Sequence, residues 1–76
     1  MEYSVRKLDA TDFEGARFRV TWWQSEDVHM VATVPYDYGA ADPWLAAAVK
    51  ATGKPAEAFD ETGPTGGKNR WYRRKA

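Results

Sequence analysis

Cysteine is absent from this chain, which removes two common supports of a small domain: a disulfide framework, and a thiolate site for zinc or an iron-sulfur cluster. Long apolar runs are missing too. None approaches the roughly 18 residues that a membrane-spanning helix needs, and the N-terminus "MEYSVRKLDA" has neither the basic start nor the apolar block of a signal peptide. A soluble cytoplasmic protein without membrane contact is expected. Histidine occurs once, as His29, and the carboxylates are scattered through loop-like stretches. A chain of 76 residues buries only roughly 60 to 65% of the surface its unfolded form exposes. That leaves little room for a pocket that could raise the pKa of a general acid. The expectation is a protein that is not an enzyme and carries no cofactor or metal.

Two short motifs invite a chemical reading and fail on spacing. "GPTGGK" at 63 to 68 resembles a phosphate-binding loop, but its first glycine sits one residue too close to the lysine. Asn69 stands where that loop has its magnesium-binding hydroxyl. A flexible linker accounts for it. Ser25, Glu26, Asp27 and His29 crowd one turn. Nucleophilic catalysis needs a rigid base, an orienting acid and an oxyanion site, and a metal wants three or four convergent ligands; a solvated turn supplies neither.

What the chain does have is aromatic mass and segregated charge. Four Trp, four Tyr and three Phe can each bury about 150 to 250 Å². The net charge of zero hides an asymmetry: all eleven acids lie in residues 1 to 67 with six Lys or Arg, whereas "KNRWYRRKA" (68 to 76) carries five cations and no acid.

Three stretches favour strand. "YSVRKL" (3 to 8) has Tyr3 and Val5 on one face, "ARFRVTWWQ" (16 to 24) alternates, and "VHMVATV" (28 to 34) is rich in β-branched residues. Between the first two, "DATDFEGA" reads as a loop or single helical turn with Phe13 tucked beneath it. A three-residue turn at Ser25, Glu26 and Asp27 pairs Trp22 with Met30, Val20 with Ala32 and Phe18 with Val34, collecting one apolar face. Arg19, Thr21, Trp23, His29, Val31 and Thr33 then share the other, with Trp23 opposite His29. Trp22 is core; Trp23 needs another explanation.

"ADPWLAAAVKATGKP" predicts a helix from about Pro43 to Thr52. Asp42 caps the free amides of its first turn, Pro43 suits the first helical position, and Gly53 followed by Pro55 ends it. Leu45, Ala48, Val49 and Thr52 form its stripe, Trp44 pins an edge, and Phe59 can fold back over it. Residues 1–62 therefore read as a single α+β domain, a three- to four-stranded antiparallel sheet with one α-helix packed on one face. Residues 63–76 read as a Gly/Pro linker and a basic aromatic tail, either a fourth strand or a disordered arm.

In size and in its hairpin-then-helix layout the chain resembles the small inhibitory proteins that bacteriophages encode against host machinery, such as anti-CRISPR proteins or polymerase inhibitors. That architecture implies a non-enzymatic module that binds a protein partner, here through Trp23, His29 and Val31 with Tyr36 and Tyr38, since Trp and Tyr dominate protein interfaces; the two tyrosines can equally lid the core. The alternative is a nucleic-acid-binding accessory protein whose tail contacts phosphates through Lys68, Arg70, Arg73, Arg74 and Lys75 while Trp71 and Tyr72 stack on bases. An exposed edge strand would allow a monomer or a homodimer.

Overall fold

Three seven-residue strands open the chain in the computed structural model, which describes residues 2–63 and 67–75: β1 (Glu2–Leu8), β2 (Arg17–Trp23) and β3 (His29–Pro35). The β2–β3 hairpin has the register that its apolar pattern predicts, with Phe18 opposite Val34, Val20 opposite Ala32, Trp22 opposite Met30 and Trp23 opposite His29. A slip of one residue would turn Phe18 and Val20 outward, so burial of one face selects this pairing. The Gln24 amide donates to the Val28 carbonyl and closes the turn.

Helix α1 (Pro43–Thr52) begins and ends where its signals lie. The Asp42 carboxylate accepts from the amides of Trp44 and Leu45, both at 3.2 Å. Gly53 closes the helix at φ 75° and donates to the Val49 carbonyl; that left-handed conformation is strained for a residue with a Cβ. A short 3-10 turn (Ala56–Ala58) then leads into β4 (Phe59–Glu61), and β5 (Asn69–Arg74) follows.

The sheet has five strands, not the three or four that periodicity implies, in the order β3-β2-β1-β5-β4 with every neighbouring pair antiparallel. β4 escapes sequence detection because three residues are too few to display an alternation. β5 escapes because, among its six residues, only Tyr72 is buried and cations surround it. The segment expected as a linker and basic tail therefore supplies a strand inside the sheet, pairing with β1 on one side and β4 on the other. Residues 64–66, in the middle of the expected linker, lie outside the described residues. Phe13 is a second departure. It is not a plug but 96% exposed, because the Thr11 hydroxyl accepts from the amides of Phe13 and Glu14 and holds a tight turn that points the ring away.

Tyr3, Val5, Phe18 and Val20 are fully buried beneath α1, joined by Val34, Ala47, Ala48, Phe59 and Tyr72. Each large apolar side chain so enclosed stabilises the fold by about 1.5 to 3 kcal/mol. Tyr3 meets the edge of Phe59 at a ring separation of 5.0 Å, and Phe59 meets Tyr72 at 6.2 Å. Phe18 stacks on Tyr36 at 5.2 Å and tilts against Trp44 at 5.0 Å. Phe59 does fold back as expected, but it joins the sheet's buried aromatics at the end remote from β3.

Two expectations follow. A chain ending at Gly67 loses the strand between β1 and β4, and circular dichroism should show no cooperative thermal transition. The second concerns Tyr72, whose phenol lacks a well-formed hydrogen bond. Burial, aided by Asp42 and Glu61 and opposed by Arg70, pushes its pKa up to about 12 from an ordinary 10.0. The unfolded chain then loses this proton first, so the contribution of Tyr72 to stability is complete below pH 10 and declines between pH 10 and about 12. Tyr72→Phe should flatten that alkaline limb in urea titrations without lowering stability at pH 7.

A basic and aromatic open sheet face as the candidate binding site

Alternation along the strands sends one set of side chains to α1 and leaves the other set uncovered. On the uncovered face, cross-strand neighbours form rows. Trp71 of β5 lies opposite Ser4 of β1, Ser4 opposite Thr21 of β2, and Thr21 opposite Val31 of β3. One row further along, Asn69, Arg6, Arg19 and Thr33 follow in the same strand order. Trp23 and His29 occupy the other side of the central row, their rings 4.7 Å apart.

The small residues Ser4 and Thr21 make the middle of this face a depression between two indoles. A groove of about 230 Å³ is lined by Glu2, Ser4, Thr21, Trp22, Trp23, His29 and Trp71. Beside it, one of about 250 Å³ is lined by Ser4, Arg6, Arg19, Thr21, Asn69 and Trp71. Trp23 is 54% and Trp71 42% exposed. Trp71 is held in place by Gly63, where a Cβ would come within 2.7 Å of the indole, and by the Thr62 amide, which donates to the Trp71 carbonyl.

The electrostatics of the second row are unusual. Arg6 and Arg19 are direct cross-strand neighbours on the two central strands, and like charges so placed repel. Neither forms an ion pair among the described residues. The contrast with Arg70, on the helix-covered face, is plain. Its guanidinium lies 3.8 Å from both Asp42 and Glu61 and 5.0 Å from the Trp44 ring centre. Arg70 thus has two carboxylates within reach, whereas Arg6 and Arg19 have none within ion-pair distance among the described residues.

The residues singled out from sequence are thus redistributed. Trp23, His29 and Val31 share the open face, Val31 being 56% exposed. Tyr36 and Tyr38 do not join them: they are on the helix side, where Tyr36 stacks on the buried Phe18 and Tyr38, 81% exposed, packs on Tyr36 at 4.6 Å. Of the tail residues, Trp71 and Arg73 stand on the open face, with Arg73 between Glu2 and Asp60. Arg74, opposite Phe59, belongs to the helix side. Lys68 pairs with Asp9, whose carboxyl it holds below the usual carboxylate range, and Lys75 lies 3.6 Å from Asp60. Tyr72 is buried. Arg6 and Ser4 are the additions. Their signal was the alternation of "YSVRKL", which opposes them to Tyr3 and Val5, but only the β1–β5 pairing brings Trp71 beside them.

Among the described residues, no three His, Asp or Glu side chains converge on a metal site, and no helix is long and apolar enough to cross a membrane. Comparison with protein-family models, with curated proteins and with solved structures found no match to the chain.

The two adjacent indoles should separate in unfolding experiments. Trp22 packs against the core, 6.1 Å from Tyr3, so Trp22→Ala should cost about 2 kcal/mol, less than the roughly 3 to 5 typical of fully buried aromatics. Trp23→Ala should stay within about 0.5 kcal/mol of the parent, as an exposed substitution does. Arg19→Gln should raise stability by a few tenths of a kcal/mol at low salt, a gain that fades as salt screens the repulsion.

Proposed function

We propose that this protein is a non-enzymatic nucleic-acid-binding module whose working surface is the open sheet face. The observation that carries this reading is the Arg6–Arg19 pair, two cations without an ion pair among the described residues, side by side in the row next to Trp71 on a face that also holds Trp23. Phosphates bridging the two guanidinium groups relieve their repulsion and gain charge-assisted hydrogen bonds. The indoles then offer flat surfaces on which unpaired bases stack, worth about 1 to 3 kcal/mol per base. Ser4, Thr21, Thr33 and Asn69 add hydrogen-bonding groups between them. Glu26, Asp27, Asp9 and Asp12 lie in the loops beyond the strand ends, while Glu2 and Asp60, on the same face, flank Arg73 rather than the Arg6–Arg19 pair.

A protein partner is the competing reading, and the apolar cluster of Trp23, His29 and Val31 favours it. Composition weighs against it. The buried centre of a protein interface is depleted in charge, whereas this face sets two arginines directly beside its middle row. The tail acting as a basic arm has less support than the face as a whole, since Lys68, Arg70 and Lys75 face carboxylates and Tyr72 is buried.

Fluorescence-anisotropy titrations with single-stranded DNA, single-stranded RNA and duplex DNA test the proposal. Single strands should bind best, with affinity falling steeply as salt rises. The Arg6→Ala, Arg19→Ala double variant should flatten the log–log salt slope by about 1.4, two single-strand phosphate contacts at roughly 0.7 each. Trp71→Ala should weaken binding several-fold and leave the slope unchanged. Binding that ignores salt and both substitutions would refute the reading.

A further inference from the structure

Strand β3 ends the sheet on one side, and no strand among the described residues pairs with its outer edge. The Gln24–Val28 and Tyr36–Ala16 hydrogen bonds fix the phase of the β2–β3 ladder. Even-numbered β3 residues therefore face β2, and the amides and carbonyls of His29, Val31 and Thr33 point outward, together with the Pro35 carbonyl. Edge strands are normally protected by Lys, by other charges, by a bulge or by brevity. β3 has seven residues, "HMVATVP", without a Lys, Arg, Asp or Glu, and it pairs without interruption along its length. Pro35 blocks only its last position. The opposite edge differs: β4 is three residues long and carries Asp60 and Glu61.

We propose that the β3 edge is a homodimerisation site, occupied by β3 of a second copy running antiparallel across a two-fold axis at Val31. The strand's own pattern selects this occupant and this register. Val31 pairs with Val31 of the second copy, and His29 pairs with Thr33 in both directions, so every outward amide from 29 to 33 meets a carbonyl. On the helix side the same register sets Met30 against Ala32 and Val28 against Val34, apolar on apolar. A two-fold axis brings each charge near its own copy, and a strand free of charged side chains is one of the few edges that escapes this repulsion.

The register has a consequence for the open face, which rests on the function proposed above. Arg6, Arg19 and Thr33 form one row, and His29 of the second copy extends it to Trp23 of that copy. Each arginine pair thus falls in line with an indole contributed across the axis, and the two faces join into a single platform of twice the width.

Sedimentation velocity on the full chain without nucleic acid tests the dimer, so its outcome is independent of any ligand. The mass should rise from one chain toward two between micromolar and millimolar concentration. Val31→Lys and Thr33→Lys alter side chains on the exposed face alone; both should remain monomeric with unchanged melting temperature. Because the chain has no cysteine, Val31→Cys also reads the register. Its two Cα atoms would lie about 5.5 Å apart, inside the range that a disulfide spans, and should cross-link on mild oxidation. Two copies of Thr33→Cys would be about 14 Å apart and should not. A wild-type chain that stays monomeric at millimolar concentration overturns the proposal, as does a dimer indifferent to Val31→Lys, and equal cross-linking at both positions overturns the register. A dimer that ignores oligonucleotides would refute the nucleic-acid reading and leave the edge assignment standing.

Discussion

Everything in this fold depends on the pairing of the first strand with the last. β1 occupies the centre of the sheet, with β2 on one side and β5 on the other, and its Tyr3 and Val5 are fully buried. A chain without cysteine has no disulfide to tie its first strand to its last, and five Cα-paired positions between β1 and β5 make that link. The cost is kinetic: residues almost a full chain length apart must meet, which slows folding relative to local hairpins. The return is that both outer segments of the sequence become strands of one sheet, and the most basic stretch is brought onto an acidic body.

The same pairing creates the candidate site. Without β5, the uncovered face would hold Trp23, His29 and Val31 on one side and nothing aromatic on the other. With β5, Trp71 arrives opposite Ser4, and small residues at Ser4 and Thr21 keep the space between the indoles open. The two faces handle charge differently. On the helix side, Arg70 is shared by Asp42, Glu61 and Trp44, an arrangement that couples the helix cap to the last strand. On the open side, Arg6 and Arg19 share nothing but each other. Their mutual repulsion costs the fold stability, and under the proposed function a ligand of opposite charge relieves it.

Much of this was legible in the sequence, and the residues show why. The β2–β3 register followed from Phe18, Val20 and Trp22 needing Val34, Ala32 and Met30, because a period-2 pattern buried on one face admits one alignment. The helix followed from Asp42, Pro43 and Gly53, whose roles are local. The partners of β1 and β5 were not legible, since pairing between distant strands leaves no local signature and "NRWYRR" presents a single buried residue. Arg6 was visible as an outward residue, yet its meaning depended on a neighbour thirteen positions away. Tyr36 lids the core instead of joining Trp23, because the connection after Pro35 turns toward the helix, where Phe18 offers it a ring to stack on.

The most direct test of the central claim, that the open sheet face is where this protein meets nucleic acid, is an NMR titration of the labelled chain with a short single-stranded oligonucleotide. The indole signals of Trp23 and Trp71 and the guanidinium signals of Arg6 and Arg19 should shift together, while those of Trp22, Trp44 and Arg70 stay in place. Shifts confined to the helix side, around Tyr36, Tyr38 and Trp44, or no shifts at saturating oligonucleotide, would contradict it.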